Sequence, residues 1–402
     1  MVTRVFTALV EYRDFRLVWS GACVSSIGTW MQKLAQSWLV LQLSNSPFLL
    51  GLDAFLGEIP IFLFSLIGGV VADRVDRRSL LIAGQFIQMS CALTLAGLFA
   101  LDVIQVWHIL CLSFIVGLAQ SFGGPAYAAL IPSLVKSKDL PNAIAMNSIQ
   151  FNIARVLGPM IGGLALTKLG AVWCFSINGV SYFAPIVSLW LIRSRFIPKK
   201  TTHTVMESMK QGIAFVRRRP AMESLIALAF GMTIFGIPVI VFLPVFARDV
   251  FGGGPGVYTL LLSLSGAGSI VGALIVAAFG NYHRKGLVTL IGLITLGFAI
   301  AGFAFAGTLV VSCIFLFIAG MALVAVFAMV TSLVQLNTTD EMRGRVMSVY
   351  NVAFRGGMPI GSLTTGALVP ILTAPLVVGV SGLTLALIGL LFLFGHRKIA
   401  SL

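Results

Sequence analysis

The chain reads as an all-α membrane protein of twelve spans in two six-helix halves. Composition leads there first: 58% of its 402 residues are hydrophobic, only 10% are charged, and mean hydropathy is +1.02. Soluble domains carry about 25% charged and about 45–50% apolar residues, so a soluble multidomain enzyme is excluded. The second observation is that apolar runs long enough to cross a hydrocarbon core of about 30 Å recur along the whole sequence. The third is that they fall into two groups of six around one long polar stretch.

The first six predicted spans cover residues 17–43, 47–71, 80–101, 106–131, 140–166 and 172–192. The second six cover 222–246, 257–279, 287–306, 309–334, 343–369 and 376–394. Ser46 followed by Pro47 has the chemistry of an N-cap with proline in the first turn, opening the second span. Thr338 and Glu341 have the spacing of a capping box ahead of the eleventh. The domain reading is therefore 1–192 for the first bundle, 193–221 for a cytoplasmic linker and 222–402 for the second bundle. Within the linker Val205, Met209, Ile213 and Val216 recur at helical spacing, which predicts an amphipathic helix on the inner membrane surface, serving as a tether.

A net charge of +14 could signal a nucleic-acid partner, so its distribution decides. With the N-terminus inside, 22 of the 27 Lys and Arg residues fall in inner segments. Only Lys168 and Arg248 fall outside, and only Lys33, Arg155 and Arg355 lie deep within spans, Arg343 and Arg345 being counted at the inner end of the eleventh. That is the positive-inside bias, and nucleic acid is set aside. Both termini are expected in the cytoplasm. No signal peptide is read, since the apolar run 5–10 is too short. The five cysteines sit in apolar runs as small buried hydrophobes, and the four histidines are scattered, so neither metal nor cofactor is expected.

The two halves echo each other. A shift of 200 positions lays Ser148 on Ser348, Arg155 on Arg355 and Pro159 on Pro359. Six-helix repeats are a transporter architecture with the substrate site between the repeats. The connection after the second span reads Gly69-Val70-Val71-Ala72-Asp73-Arg74-Val75-Asp76-Arg77-Arg78. An aspartate at a helix C-terminus opposes the dipole and calls for the neighbouring arginines, while Gly69 would allow close helix approach. The fifth span carries Arg155-Val156-Leu157-Gly158-Pro159-Met160-Ile161-Gly162-Gly163, in which Pro159 can kink the helix and the three glycines permit tight packing.

The ten-residue loop resembles the signature inner loop of the major facilitator superfamily, with Asp76 where the family pattern has glycine. The fifth-span stretch resembles that superfamily's motif associated with export. Ile27-Gly28-Thr29-Trp30-Met31-Gln32, Leu243-Pro244-Val245-Phe246-Ala247-Arg248-Asp249 and Arg343-Gly344-Arg345-Val346-Met347-Ser348 narrow the likeness to bacterial drug/proton antiporters of the enterobactin-exporter and macrolide-efflux kind. The resemblance implies the major facilitator fold in the bacterial inner membrane. It also implies an inner gate of Gly69, Asp73, Arg74, Arg77 and Arg78, the aspartate bridging to the start of the eleventh helix.

A charge inside a span costs about 2.5–3.5 kcal/mol on insertion scales, so it faces a partner or a wet cavity. Lys33, Asp53, Glu58, Arg155 and Arg355 qualify. Lys33 and Glu58 come out at equal depth, which predicts an ion pair, serving either structure or transport. Asp53 comes out shallower, at the solvated outer rim. Glu58, Asp53 and Lys33 are the proton-coupling candidates, with Glu58 favoured. Polar stripes on the first, fifth and eleventh spans nominate Thr29, Lys33, Ser37, Asn152, Arg155, Asn351 and Arg355 as cavity lining. The expected function is export of amphipathic small molecules by proton antiport, working as a monomer in the lipid bilayer. A lipid or lysolipid flippase and a non-transporting membrane sensor or assembly partner are the alternatives. No enzymatic nucleophile–base constellation appears, and no P-loop.

Overall fold

The computed structural model describes residues 6–192, 205–279, 284–395 and 399, and among these the chain is helical without a strand. Among the described residues twelve long helical segments account for most of the chain. In the first half they are α1 (Arg13–Ser44), α2 (Pro47–Arg74), α3 (Arg77–Ala100), α4 (Val106–Leu134), α5 (Leu140–Lys168) and α6 (Ala171–Leu191). In the second they are α7 (Pro220–Val250), α8 (Pro255–Phe279), α9 (Lys285–Phe305), α10 (Leu309–Leu336), α11 (Asp340–Leu372) and α12 (Ala374–Gly395). Ten of these are long and apolar enough to cross a membrane. The two that fall short are α1 and α11, two of the three helices on which the sequence shows polar stripes.

The helix starts reflect local chemistry. Ser46 Oγ accepts from Leu49 N at 3.3 Å, so the N-cap ahead of Pro47 forms as expected. The capping box at Thr338 does not. Thr338 Oγ1 donates back to Val334 O at 2.6 Å, and Thr339 takes the N-cap position without a side-chain bond. A hydroxyl near a helix end can satisfy the preceding turn instead of the next one.

The span at 222–246 is not one helix. Proline has no N–H to donate, and after Gly236 the chain proceeds through short turns starting at Pro238 and Leu243, the latter followed by Pro244. It closes in a wide turn over Phe246–Val250, with Phe251 N on Phe246 O at 3.0 Å. Phe246 is fully buried, its ring 4.6 Å from that of Phe303 on α9. α6 likewise is interrupted, at Tyr182.

The chain forms two compact units. One comprises residues 1–44 and 56–202, the other 45–55 and 203–402. In the first, a short helix Thr7–Glu11 precedes α1 and is anchored at the base of α5: Ala8 N donates to Asn142 Oδ1 at 2.9 Å and Tyr12 to Asp139 Oδ2 at 2.6 Å. The bond to Asp139 favours the neutral phenol and raises the Tyr12 hydroxyl above its usual value. An apolar cluster including Phe15, Val18, Leu81, Leu130 and Leu134 fills this end of the unit.

The second unit takes in two pieces that the sequence assigns elsewhere. The amphipathic helix forms at Val205–Arg217, with the start of its predicted linker (193–204) outside the described residues. It packs on α11, where a Cβ on Gly212 would stand 2.6 Å from Arg345 O, and Val216 is buried. The other piece is the first turns of α2. A Cβ on Gly51 would stand 2.5 Å from Ser362 O and 3.0 Å from Gly366 Cα. Of the cysteines, Cys91 and Cys174 are buried, Cys23 and Cys313 half-buried and Cys111 exposed, which corrects the uniform burial read from the sequence.

Candidate functional site

In the first unit α1 lies between α5 and α6, and small residues let it. A Cβ on Gly158 would stand 2.5 Å from Trp30 Cβ and 2.8 Å from Ile27 O, and one on Gly162 would stand 2.9 Å from Met31 Cα. Gly163 and Pro159 are buried beside them. The tight packing expected of this motif is therefore specific: it seats α5 on the Ile27–Met31 turn of α1. On the opposite side Gly28 sits against Ser181 and Asn178 of α6.

Polar side chains tie this arrangement together. Gln150 Nε2 donates to Ser26 Oγ at 2.7 Å, Asn178 Nδ2 to Gln32 Oε1 at 2.6 Å, and Gln36 Nε2 to Ser113 Oγ at 2.9 Å. Thr29 Oγ1 and the Tyr182 hydroxyl lie 3.2 Å apart. Thr29 thus joins α1 to α6, and is not a free lining group. Gln36, Gln150 and Asn178 have no place in the sequence reading and Gln32 has one only within the Ile27–Gln32 stretch, although polar side chains within spans commonly bridge helices.

The remaining stripe of α1 holds Trp30, Lys33 and Ser37, spaced three and four residues apart. Lys33 Nζ lies 5.4 Å from the centroid of the Trp30 ring and Arg155 Cζ 5.9 Å from it. Phe151, one turn before Arg155, meets the same ring edge-on at 6.1 Å. Lys33 is exposed, Ser37 half-buried, and Asn152 donates to its own helix at Ser148 O, 2.8 Å away. Among the described residues the ion pairs do not include the expected one between Lys33 and Glu58, and Lys33 Nζ lies against the ring on its own helix. Asp53 is not at a solvated rim either, being only 8% exposed, whereas Glu58 is half-buried.

The loop between α2 and α3 builds a second cluster. Arg77 Nη2 meets Asp73 Oδ1 at 3.1 Å, while its other nitrogens donate to Ala72 O at 3.1 Å and Ala129 O at 2.7 Å. Arg78 donates to Trp190 O at 2.8 Å, and Arg74 is exposed. Asp76, standing in for glycine, N-caps α3 through Arg78 N, Ser79 N and Ser79 Oγ. The close approach expected at Gly69 belongs to its neighbour. Nothing lies within 4 Å of a Cβ on Gly69, whereas one on Gly68 would collide with Ser121 O.

In the second unit α11 repeats the α5 device. Cβ atoms on Gly357 and Gly361 would meet the backbone of Phe230 at 2.9 Å and of Ile234 at 2.9 Å on α7. The two glycines stand four apart, as Gly158 and Gly162 do, and flank Pro359 as those flank Pro159. Asn351 and Arg355 are exposed on the same helix.

A family described as transmembrane secretion effectors matches residues 6–399. Macrolide efflux protein A of Streptococcus pyogenes is 24% identical over 87% of this chain and 89% of its own. The staphyloferrin A transporter of Staphylococcus aureus is 24% identical over 93% and 94%, and the enterobactin exporter EntS of Salmonella typhimurium 24% over 96% and 92%. Among solved structures, a mutant of the peptide transporter POT superposes with a TM-score of 0.78 at 14% identity, covering 97% of this chain and 95% of that one. The nucleoside transporter NupG gives 0.73 at 13%, covering 95% and 98%.

Proposed function

The chain belongs to the transmembrane secretion effector family of the major facilitator superfamily, and from that premise we propose that it exports amphipathic small molecules by proton antiport. It is a multi-pass membrane transporter and not an enzyme. The observation that carries the export reading is the Arg155–Gly163 stretch, resembling the export-associated motif and seated through Gly158 and Gly162 on α1. Relatives named for efflux and export support the direction.

In this reading the protein sits in the bacterial inner membrane as a monomer with both termini in the cytoplasm. Lys33, Ser37, Asn152, Arg155, Asn351 and Arg355 line the substrate path, and Thr29 positions α1 behind it. Asp53 and Glu58 on α2 carry protons, and Gly69 with the Asp73, Arg74, Arg77 and Arg78 cluster forms the inner gate. One proton moving down about 100 mV supplies about 2.3 kcal/mol, equivalent to roughly a fiftyfold substrate gradient. A lipid flippase is the second reading. It is favoured by a groove of about 370 Å³ lined by Phe86, Ile87, Ser90, Cys91, Thr94, Leu112 and Ile115, which lies between α3 and α4.

Uptake into inverted membrane vesicles across a compound panel, with and without a protonophore, tests both. Saturable accumulation that the protonophore abolishes is the expected result. Movement of lipid alone would replace the exporter by the flippase, and no movement of any compound would leave a non-transporting sensor.

A further inference from the structure

We propose that Lys33, Trp30 and Arg155 form a recognition site for an amphipathic organic acid, its anionic group held by the two cations and its planar apolar body by the aromatic rings. The inference rests on the exporter reading and names its substrate class. Two cations within spans approach one indole ring, Lys33 at 5.4 Å and Arg155 at 5.9 Å. Neither makes a hydrogen bond or an ion pair with the described residues. Buried or membrane-embedded cations are costly unless an anion or water faces them, and the ring alone supplies only part of that compensation.

The arrangement is built by packing. Lys33 and Trp30 are three apart on α1, Phe151 and Arg155 four apart on α5, so each pair shares a face. Gly158 and Gly162 bring the two helices close enough for both faces to converge on Trp30. The guanidinium presents planar donors that match a carboxylate or phenolate, and the lysine adds a mobile point charge. Trp30 and Phe151, edge to face at 6.1 Å, supply the apolar wall. A cationic substrate would be repelled by both charges, and a neutral one would leave them unmatched.

The test uses the full-length protein in lipid nanodiscs and two fluorescent probes of one shape, dansylglycine and its uncharged amide. A charge-assisted contact predicts about tenfold tighter binding of the acid. In Arg155→Gln and in Lys33→Gln the acid-to-amide ratio should fall toward one, and Arg155→Lys, which keeps the charge, should restore most of it. Lys33 is exposed, so its variant folds even if that of Arg155 fails a melting check. Equal affinity for acid and amide, binding of neither, or an unchanged ratio in Lys33→Gln would overturn the site. Preference for the acid without protonophore-sensitive accumulation in proteoliposomes would keep the site and overturn the exporter. Accumulation of both probes without preference would do the reverse.

Discussion

Gly68 and Gly69 are neighbours with opposite surroundings, and the contrast is testable. A Cβ on Gly68 would run into the backbone of Ser121 and stand 3.0 Å from Phe122 Cα, which cannot rotate aside. Overpacking of this kind costs typically about 1–3 kcal/mol, so Gly68→Ala should lower the melting temperature of the purified protein. Gly69→Ala enters open space and gains helix propensity of about 0.5–1 kcal/mol, so it should melt at or above the parent. Equal losses in both would refute the contact that separates them. The sequence points to the glycine pair but not to which member is used, because the answer depends on the rotation of α2 against α4. Arg155 and Trp30 pose the same difficulty: each is visible as an unusual residue in a span, and their meeting depends on a helix pair separated by more than a hundred positions.

At the scale of elements, Asp76 makes the clearest case. Its carboxylate accepts from Arg78 N, Ser79 N and Ser79 Oγ at the start of α3. Replacing such a cap by alanine costs about 1 kcal/mol, so Asp76→Ala should reduce thermal stability measurably, while Asp76→Asn should retain most of it. A melting curve unchanged in the alanine variant would rule out the cap. The spans were legible because bilayer thickness fixes the length of an apolar run, and α5 begins at the predicted Leu140 and α10 at the predicted Leu309. The interior of α7 was not, since Pro238 and Pro244 interrupt an apolar run without shortening it. Nor was the face of α1: in a helix surrounded by protein, Ser26, Thr29, Gln32 and Gln36 all look like lining until their partners on α4, α5 and α6 are known.

For the whole molecule, the informative element is α2, which the two units share. Its first turns, with Asp53, group with residues 203–402, while Glu58 and the rest group with the first unit. A carrier couples protons to transport through a carboxylate whose surroundings change between conformations, and a residue on the stretch where one helix passes between two units is suited to that. Equal depth with Lys33 made Glu58 the favoured group in the sequence. With no such pair among the described residues, Glu58 has less to set it apart, and the burial of Asp53, 8% exposed, makes it the stronger candidate. Asp53→Asn, an isosteric mimic of the protonated acid, should therefore abolish protonophore-sensitive accumulation in inverted vesicles while substrate exchange across the membrane continues. Glu58→Gln should slow accumulation without abolishing it. Exchange is the necessary control, because loss of both activities would indicate damaged packing of α2 against α11 instead of lost coupling. If the double variant Asp53→Asn with Glu58→Gln still concentrates substrate at the parental level, neither carboxylate carries the proton, and the antiport reading loses its site on α2.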